Sequence, residues 1–231
     1  MKPLKKQIYT TFFALFIISQ LTFAQFGKAN KVQIPANYDF TWIVKMEMKT
    51  KKHTFGMDYY MKEDTKYFGI KNDMLAKQGQ GGDIFMVMDI DLEVTSMFME
   101  MMGKKIIQKT SIKGIGDTVE NDDSYTYEKI GSKTILGYHC DGFKAENDEH
   151  SITFYVSNEV PVSFTQLWDA DKKTMPKGFN TAWMKKYAEN GAVLEMQFDD
   201  KKKSKNNMIM TCTGIEKTDF SIKTTDYKSM F

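Results

Sequence analysis

Met97, Met99, Met101 and Met102 fall within six residues of the stretch TSMFMEMMGKK. Thioether sulfur is a soft ligand suited to Cu(I), and Met-x-Met pairs recur at 46/48, 86/88, 97/99 and 208/210. Residues two apart on a strand share a face, so each pair would set two sulfurs side by side. Methionine is also the unbranched, polarizable filler of irregular apolar interiors and adaptable binding surfaces. The pairs are spread through the chain and alternate with aromatic residues as a core does. That distribution favours packing and ligand lining over metal ligation, so neither a metal nor another cofactor is expected.

The other reactive side chains assemble no catalytic set. His53, His139 and His150 are the only histidines, and none has close metal-ligand spacing to another. In GYHCD, His139 and Cys140 are adjacent and so point to opposite faces of a strand, whereas a Cys/His nucleophile pair must meet within hydrogen-bond reach. Asp89, Asp91, Glu93, Thr95 and Glu100 occupy positions one, three, five, seven and twelve of a calcium-loop template. Position six is Val94, however, where that loop needs glycine, and position nine is Met97. No Gly-x-Ser-x-Gly, phosphate-binding glycine loop or His-Glu-x-x-His occurs, and GQGG at 79–82 reads as a flexible turn. The chain is not expected to be an enzyme.

The elements that would position these residues are strands. Phe40, Trp42, Val44, Met46 and Met48 alternate with Thr41, Lys45, Glu47 and Lys49, and the same period of two returns in Phe55, Met57, Tyr59 and Met61. It recurs in Leu194, Met196 and Phe198, and again in Met208, Met210 and Cys212. Such alternation predicts antiparallel strands that are apolar on one side and wet on the other. The run IFMVMDIDLEVTSMFMEMMGKKIIQK predicts three short strands near 84–88, 94–99 and 104–109, because Val94, Thr95, Phe98, Ile106 and Ile107 favour extended backbone. Two stretches depart from this pattern. Ser163 as a cap before Phe164, Leu167 and Trp168, and Asn180 as a cap before Trp183 and Tyr187 with Gly191 as a stop, predict two short amphipathic helices. Their apolar faces and that of the sheet are complementary, so the helices are expected against the concave face.

Residues 1–24 read as a signal peptide. Lys2, Lys5 and Lys6 precede an apolar run centred on 12–18, and Thr22 and Ala24 suit cleavage before Gln25. The run is too short for a comfortable span, so an exported chain, periplasmic or secreted, without stable membrane insertion is expected. Removing those three lysines from 32 basic residues leaves 29 against 30 acidic ones. Arginine is absent, which excludes bidentate phosphate clamping, and no basic-aromatic stripe points to nucleic acid. DDKKKSKNN, at 199–207, reads as a solvated hairpin tip. With no linker or repeat, residues 25–37 are expected as a flexible lead-in and 38–231 as one domain, monomeric. In an oxidising compartment Cys140 and Cys212, on strand faces shared with Leu136 and Tyr138 and with Met208 and Met210, are expected to pair. Two separate buried thiols are the alternative.

The segments SKTILGYHCDGFK, ITFYVSNEVPVSF, GAVLEMQFDD and MTCTGIEKTDFSIKTTDYKSM resemble the exported bacterial family registered as domain of unknown function 4412. The Gly-Tyr-x-Cys turn at 137–140 and the closing Asp-Tyr-Lys at 226–228 are its most specific pieces. That family is similar in turn to Lol-type periplasmic lipoprotein carriers. The resemblance implies a mainly β fold in which a curved antiparallel sheet forms an incomplete barrel, wrapped around helices, with an apolar cavity. The arginine with which the Lol carrier holds its cavity closed has no counterpart here. The combined expectation is a non-catalytic protein holding a hydrophobic or amphipathic molecule, a lipid or lipoprotein acyl chain. Trp42, Met46, Met57, Tyr59, Met97, Met99 and Met196 would line its interior, with Phe164, Trp168 and Trp183 as a cover. A soft-metal protein using the Met-x-Met pairs, and a structural envelope protein with a filled core, are the alternatives.

Overall fold

A computed structural model describes residues 31–72, 84–112, 125–164 and 191–229. The expected signal peptide, the GQGG stretch, the first expected helix beyond Phe164 and the second up to Gly191, with Trp168 and Trp183, lie outside the described residues. Within them the chain is strand: β1 (Asn37–Asp39), β2 (Trp42–Thr50), β3 (Thr54–Met61), β4 (Tyr67–Asn72), β5 (Ile84–Asp89), β6 (Val94–Met101), β7 (Lys104–Ser111). It continues as β8 (Thr126–Ile135), β9 (Tyr138–Glu146), β10 (His150–Ser157), β11 (Ala192–Asp200), β12 (Met208–Lys217), β13 (Ser221–Lys223) and β14 (Lys228–Ser229). Among the described residues, helical structure is limited to the 3-10 turns Ser204–Asn206 and Thr224–Asp226. No helix there is long and apolar enough to cross a membrane.

Twelve strands form one curved sheet in the order β14-β7-β6-β5-β4-β3-β2-β12-β11-β10-β9-β8. Every pairing is antiparallel except that of β14 with β7. The sheet does not close. Its inner face carries the main core, which runs from Met86 and Met88 of β5 through β4, β3, β2, β12, β11 and β10 to Cys140 and Phe143 of β9. Apolar side chains at every second position of β2 and β3 explain why these strands bury one face: Val44, Met46, Met48, Phe55, Met57, Tyr59 and Met61 are all buried.

Tight turns set the register of two hairpins. Met102-Gly103 joins β6 to β7 with Met101 opposite Lys104, and Leu136-Gly137 joins β8 to β9 with Ile135 opposite Tyr138. All four turn residues have positive φ, 52°, 71°, 52° and 86° in chain order, as the two-residue hairpin turn whose twist matches the strands requires. Leu136 therefore sits in a turn, half exposed, and not on the strand face of Cys140. The basic stretch after β11 is a solvated tip. Its backbone is pinned by Asp200, whose Oδ1 accepts from the amides of Lys202 and Lys203, while Lys201 and Lys202 pair with Glu146 and Glu149.

The strands are not all wet on their outer side. β4, β5 and β6 are buried on both faces, because residues 34–40 and 220–227 fold across them. Tyr38, Phe40, Phe85, Val87, Phe98, Ile107 and Ile222 form a second core there, with Ile34, Tyr60, Tyr67 and Tyr227 packed on it. Rings meet edge to face, Phe40 against Phe85 at 5.6 Å and Phe98 against Tyr227 at 5.0 Å. Phe85 lies directly over Gly69, where an added Cβ would stand 2.4 Å from its ring, so this strand tolerates glycine because a neighbouring ring fills the place of its side chain. β1 pairs with β13 above this layer. Lys109 Nζ donates to the Val32 carbonyl at 2.7 Å and Thr224 Oγ1 to the Pro35 carbonyl at 2.6 Å, which ties residues 32–37 to the body.

Candidate functional site: the inner face and its end groove

The inner face is built by cross-strand rows. One row runs Met57, Met46, Cys212 across β3, β2 and β12; the next runs Phe55, Met48, Met210, Met196 and Phe154 across β3, β2, β12, β11 and β10. Met46, Met57, Tyr59 and Met196 are buried within this core, and Trp42 is half-buried at its end. Met97 and Met99 continue the same face through their pairings with Met86 and Ile84; Met99 is buried and Met97 half-buried. Met101 and Met102 do not join them, since they stand exposed at the hairpin tip.

At the end where β3 and β10 terminate, a groove of about 370 Å³ opens beside this core. Its floor is Met61, Val160, Pro161 and Val162, and its rim is Lys62, Glu63, Asp64 and Ser163. Met61, Val160 and Val162 also belong to the main core, so the groove floor and the inner face are one apolar surface. The rim is polar and held in place. Thr65 Oγ1 donates to the Lys62 carbonyl at 3.0 Å, Trp42 Nε1 donates to Glu63 Oε1 at 3.3 Å, and Lys62 stands 3.9 Å from Asp39. Phe164 packs its ring 5.9 Å from that of Tyr59, and its amide donates to the Gly191 carbonyl at 2.9 Å. The long β10–β11 connection therefore leaves and re-enters the fold beside the groove. Pocket-forming residues 160–162 were not singled out by the sequence reading; the signal was the short apolar stretch Val-Pro-Val directly after a strand.

The cysteines both reach the inner face but are not bonded to each other. Cys140 Sγ donates to the Tyr138 carbonyl at 3.4 Å and Cys212 Sγ to the Gly214 carbonyl at 3.6 Å. The expected disulfide is corrected by sheet order. β10 and β11 lie between β9 and β12, which separates the cysteines by three strand spacings of about 4.8 Å along the sheet. A disulfide needs Cα atoms within about 4.4–6.8 Å. Burial pushes the Cys212 thiol up to about 11 and raises that of Cys140.

The calcium-template residues do not converge. Asp89 is buried and both its oxygens are engaged, Oδ2 by the Tyr38 hydroxyl at 3.0 Å and Oδ1 by the Leu92 amide at 3.0 Å. Among the described residues no three His, Cys, Asp or Glu side chains are grouped to hold a metal ion. His139 is exposed and Cys140 buried on the opposite face.

No curated protein matches the sequence. The fold is similar, at 8% identity and a TM-score of 0.41, to a structure of PNGF-II, with 82% of this chain and 30% of that chain covered, so the chain spans less than a third of that protein. A chain of the Pseudomonas aeruginosa MucA/MucB complex is similar at 8% identity and a TM-score of 0.36, covering 89% of this chain and 59% of that one. A LolA superfamily protein from Nitrosomonas europaea is similar at 8% identity and a TM-score of 0.28, covering 85% and 93%. The family model described as Domain of unknown function (DUF4412) matches residues 40–226, and the chain belongs to that family.

Proposed function

We propose that the protein is an exported, non-catalytic carrier that holds an acyl chain or similar amphipathic molecule along the inner face, entering by the end groove. The observation that supports this reading most is the groove itself: an apolar floor of Met61, Val160 and Val162, continuous with the core, under a rim carrying Lys62, Glu63 and Asp64. Its volume of about 370 Å³ falls in the range of small-molecule sites, which are mostly apolar with a few placed polar groups. A methionine-rich wall suits this use, because unbranched thioether side chains repack around guests of varied shape. Met46, Met57, Tyr59, Met97, Met99 and Met196 would line the path, Trp42 would stand at its mouth, and Phe164, Trp168 and Trp183 would cover it.

The test is titration of a fluorescent fatty-acid analogue into delipidated wild-type protein and into Val160→Lys and Met97→Lys, each checked by circular dichroism. An unpaired ammonium on an apolar floor disfavours an acyl chain, so Val160→Lys is expected to lose binding and Met97→Lys to weaken it. No binding by the wild type, or equal binding by all three, would leave the inner face as a core and nothing more.

A further inference from the structure

We propose a soft-metal site on the inner face, made by the Met46 and Met57 thioethers and the Cys212 thiolate, that takes a single Cu(I) ion. These residues were not linked by their spacing in sequence. Strand register brings them together: Met57 pairs with Met46 across β3 and β2, and Met46 pairs with Cys212 across β2 and β12. Directly opposed side chains have Cβ atoms about 4.5–5.5 Å apart, and on the inside of a curved sheet side chains of neighbouring strands converge. Met46 therefore stands between two sulfurs.

One further feature sets this row apart from the other methionines. A bulge at Thr213 shifts the β12–β2 register immediately after Cys212, so that Gly214 opposes Lys45. Bulges re-aim side chains and recur next to sites. The bulge also supplies the Gly214 carbonyl to which the thiol donates at 3.6 Å, which directs the sulfur while it is protonated. The row is also dry, as the neighbouring Met48 and Met210 are. Met46, Met57 and Cys212 are each 2% exposed or less, and a dry set of one thiolate and two thioethers has the softness that selects Cu(I) over harder ions. The donors leave no oxygen or imidazole ligand in the row.

Binding forms a Cu–S bond to Cys212 and breaks its S–H bond, the proton passing to solvent; the thioethers donate lone pairs and lose nothing. Copper enters and stays as Cu(I), so no electron moves. Because an ordinary thiol is protonated at neutral pH and binds metal as the thiolate, each ion bound should release one proton, and affinity should rise with pH through the neutral range.

The test uses the reduced full chain, kept anaerobic and titrated with Cu(I) held by bicinchoninate. Transfer of one ion per chain with release of one proton is expected. Met46→Leu combined with Met57→Leu keeps the apolar volume and so the fold, and should weaken transfer by about tenfold or more, the scale on which even outer-shell changes act. Cys212→Ala should abolish the proton release, while Met97→Leu with Met99→Leu should leave copper transfer unchanged. Absence of transfer to the wild type, equal transfer to a folded Met46→Leu, Met57→Leu protein, or loss confined to the Met97, Met99 variant would each overturn the site. The protein is delipidated first, because Met46 and Met57 also line the proposed acyl path and a bound chain would cover them.

Discussion

Tyr38 places a phenol in the outer core with no solvent contact, and its hydroxyl has one partner there, Asp89 Oδ2 at 3.0 Å. Burial first, and then the Asp89 charge, raise the Tyr38 hydroxyl far above the usual phenol range. The pair joins β1, near one end of the chain, to the end of β5, and the second oxygen of Asp89 is satisfied by the Leu92 amide. Removing the hydroxyl leaves a buried carboxylate oxygen without its donor, a change that costs about 1–3 kcal/mol. Tyr38→Phe should therefore lower the unfolding free energy at pH 7 by that amount, read as a lower urea midpoint with an unchanged slope. The sign of its pH dependence follows from the raised phenol: the folded state favours the protonated form, so this contribution is complete below the ordinary tyrosine value near 10 and is lost as pH rises above it. A Tyr38→Phe protein as stable as wild type at neutral pH would show that Asp89 is hydrated in solution.

At the scale of the element, the β6–β7 hairpin combines a strained residue with a free surface. Met102 holds φ at 52° and is 98% exposed, so its side chain makes no packing contribution to set against the left-handed backbone. A left-handed conformation costs an L-residue about 1–2 kcal/mol, and glycine is exempt. Met102→Gly should stabilise the protein by about 1 kcal/mol, offset in part by the greater freedom of glycine in the unfolded chain. Thermal melts of Met102→Gly and Met102→Ala separate the two effects. If the glycine variant melts at or below the alanine variant, the turn does not hold this conformation. Leu136 repeats the arrangement at the opposite edge of the sheet, with φ of 52° before Gly137.

For the whole molecule, the decisive feature is that residues 34–40 and 220–227, far apart in the chain, cover the outside of β4–β6. Phe220 packs 5.0 Å from Phe85, and Tyr227 packs 5.0 Å from Phe98. Full burial of a large apolar side chain contributes about 1.5–3 kcal/mol, so several of them together rival the total stability of a domain, about 5–15 kcal/mol. Deleting residues 218–231 should expose Phe40, Phe85 and Phe98, reduce the unfolding midpoint sharply and create binding of a hydrophobic dye. A truncated protein that unfolds at the wild-type midpoint without dye binding would show the outer layer to be a passive covering.

What the sequence determined by itself is local. Period-two alternation marked β2, β3, β11 and β12, because side-chain direction in an extended chain depends only on position parity, and β-branched and aromatic residues marked strands near 84–88, 94–99 and 104–109, where β5, β6 and β7 run. The apolar runs YFGI and IFMVM also carried a signal for burial on both faces, although not for what would cover them. The tertiary structure decided everything that depends on which strands are neighbours. Sheet order held Cys140 and Cys212 three strand spacings apart although both face inward, and it set Met57, Met46 and Cys212 in one row across segments far apart in the chain. Parity tells which face a residue occupies; lateral distance is fixed by long-range pairing and curvature, and a single chain read in order carries no record of either.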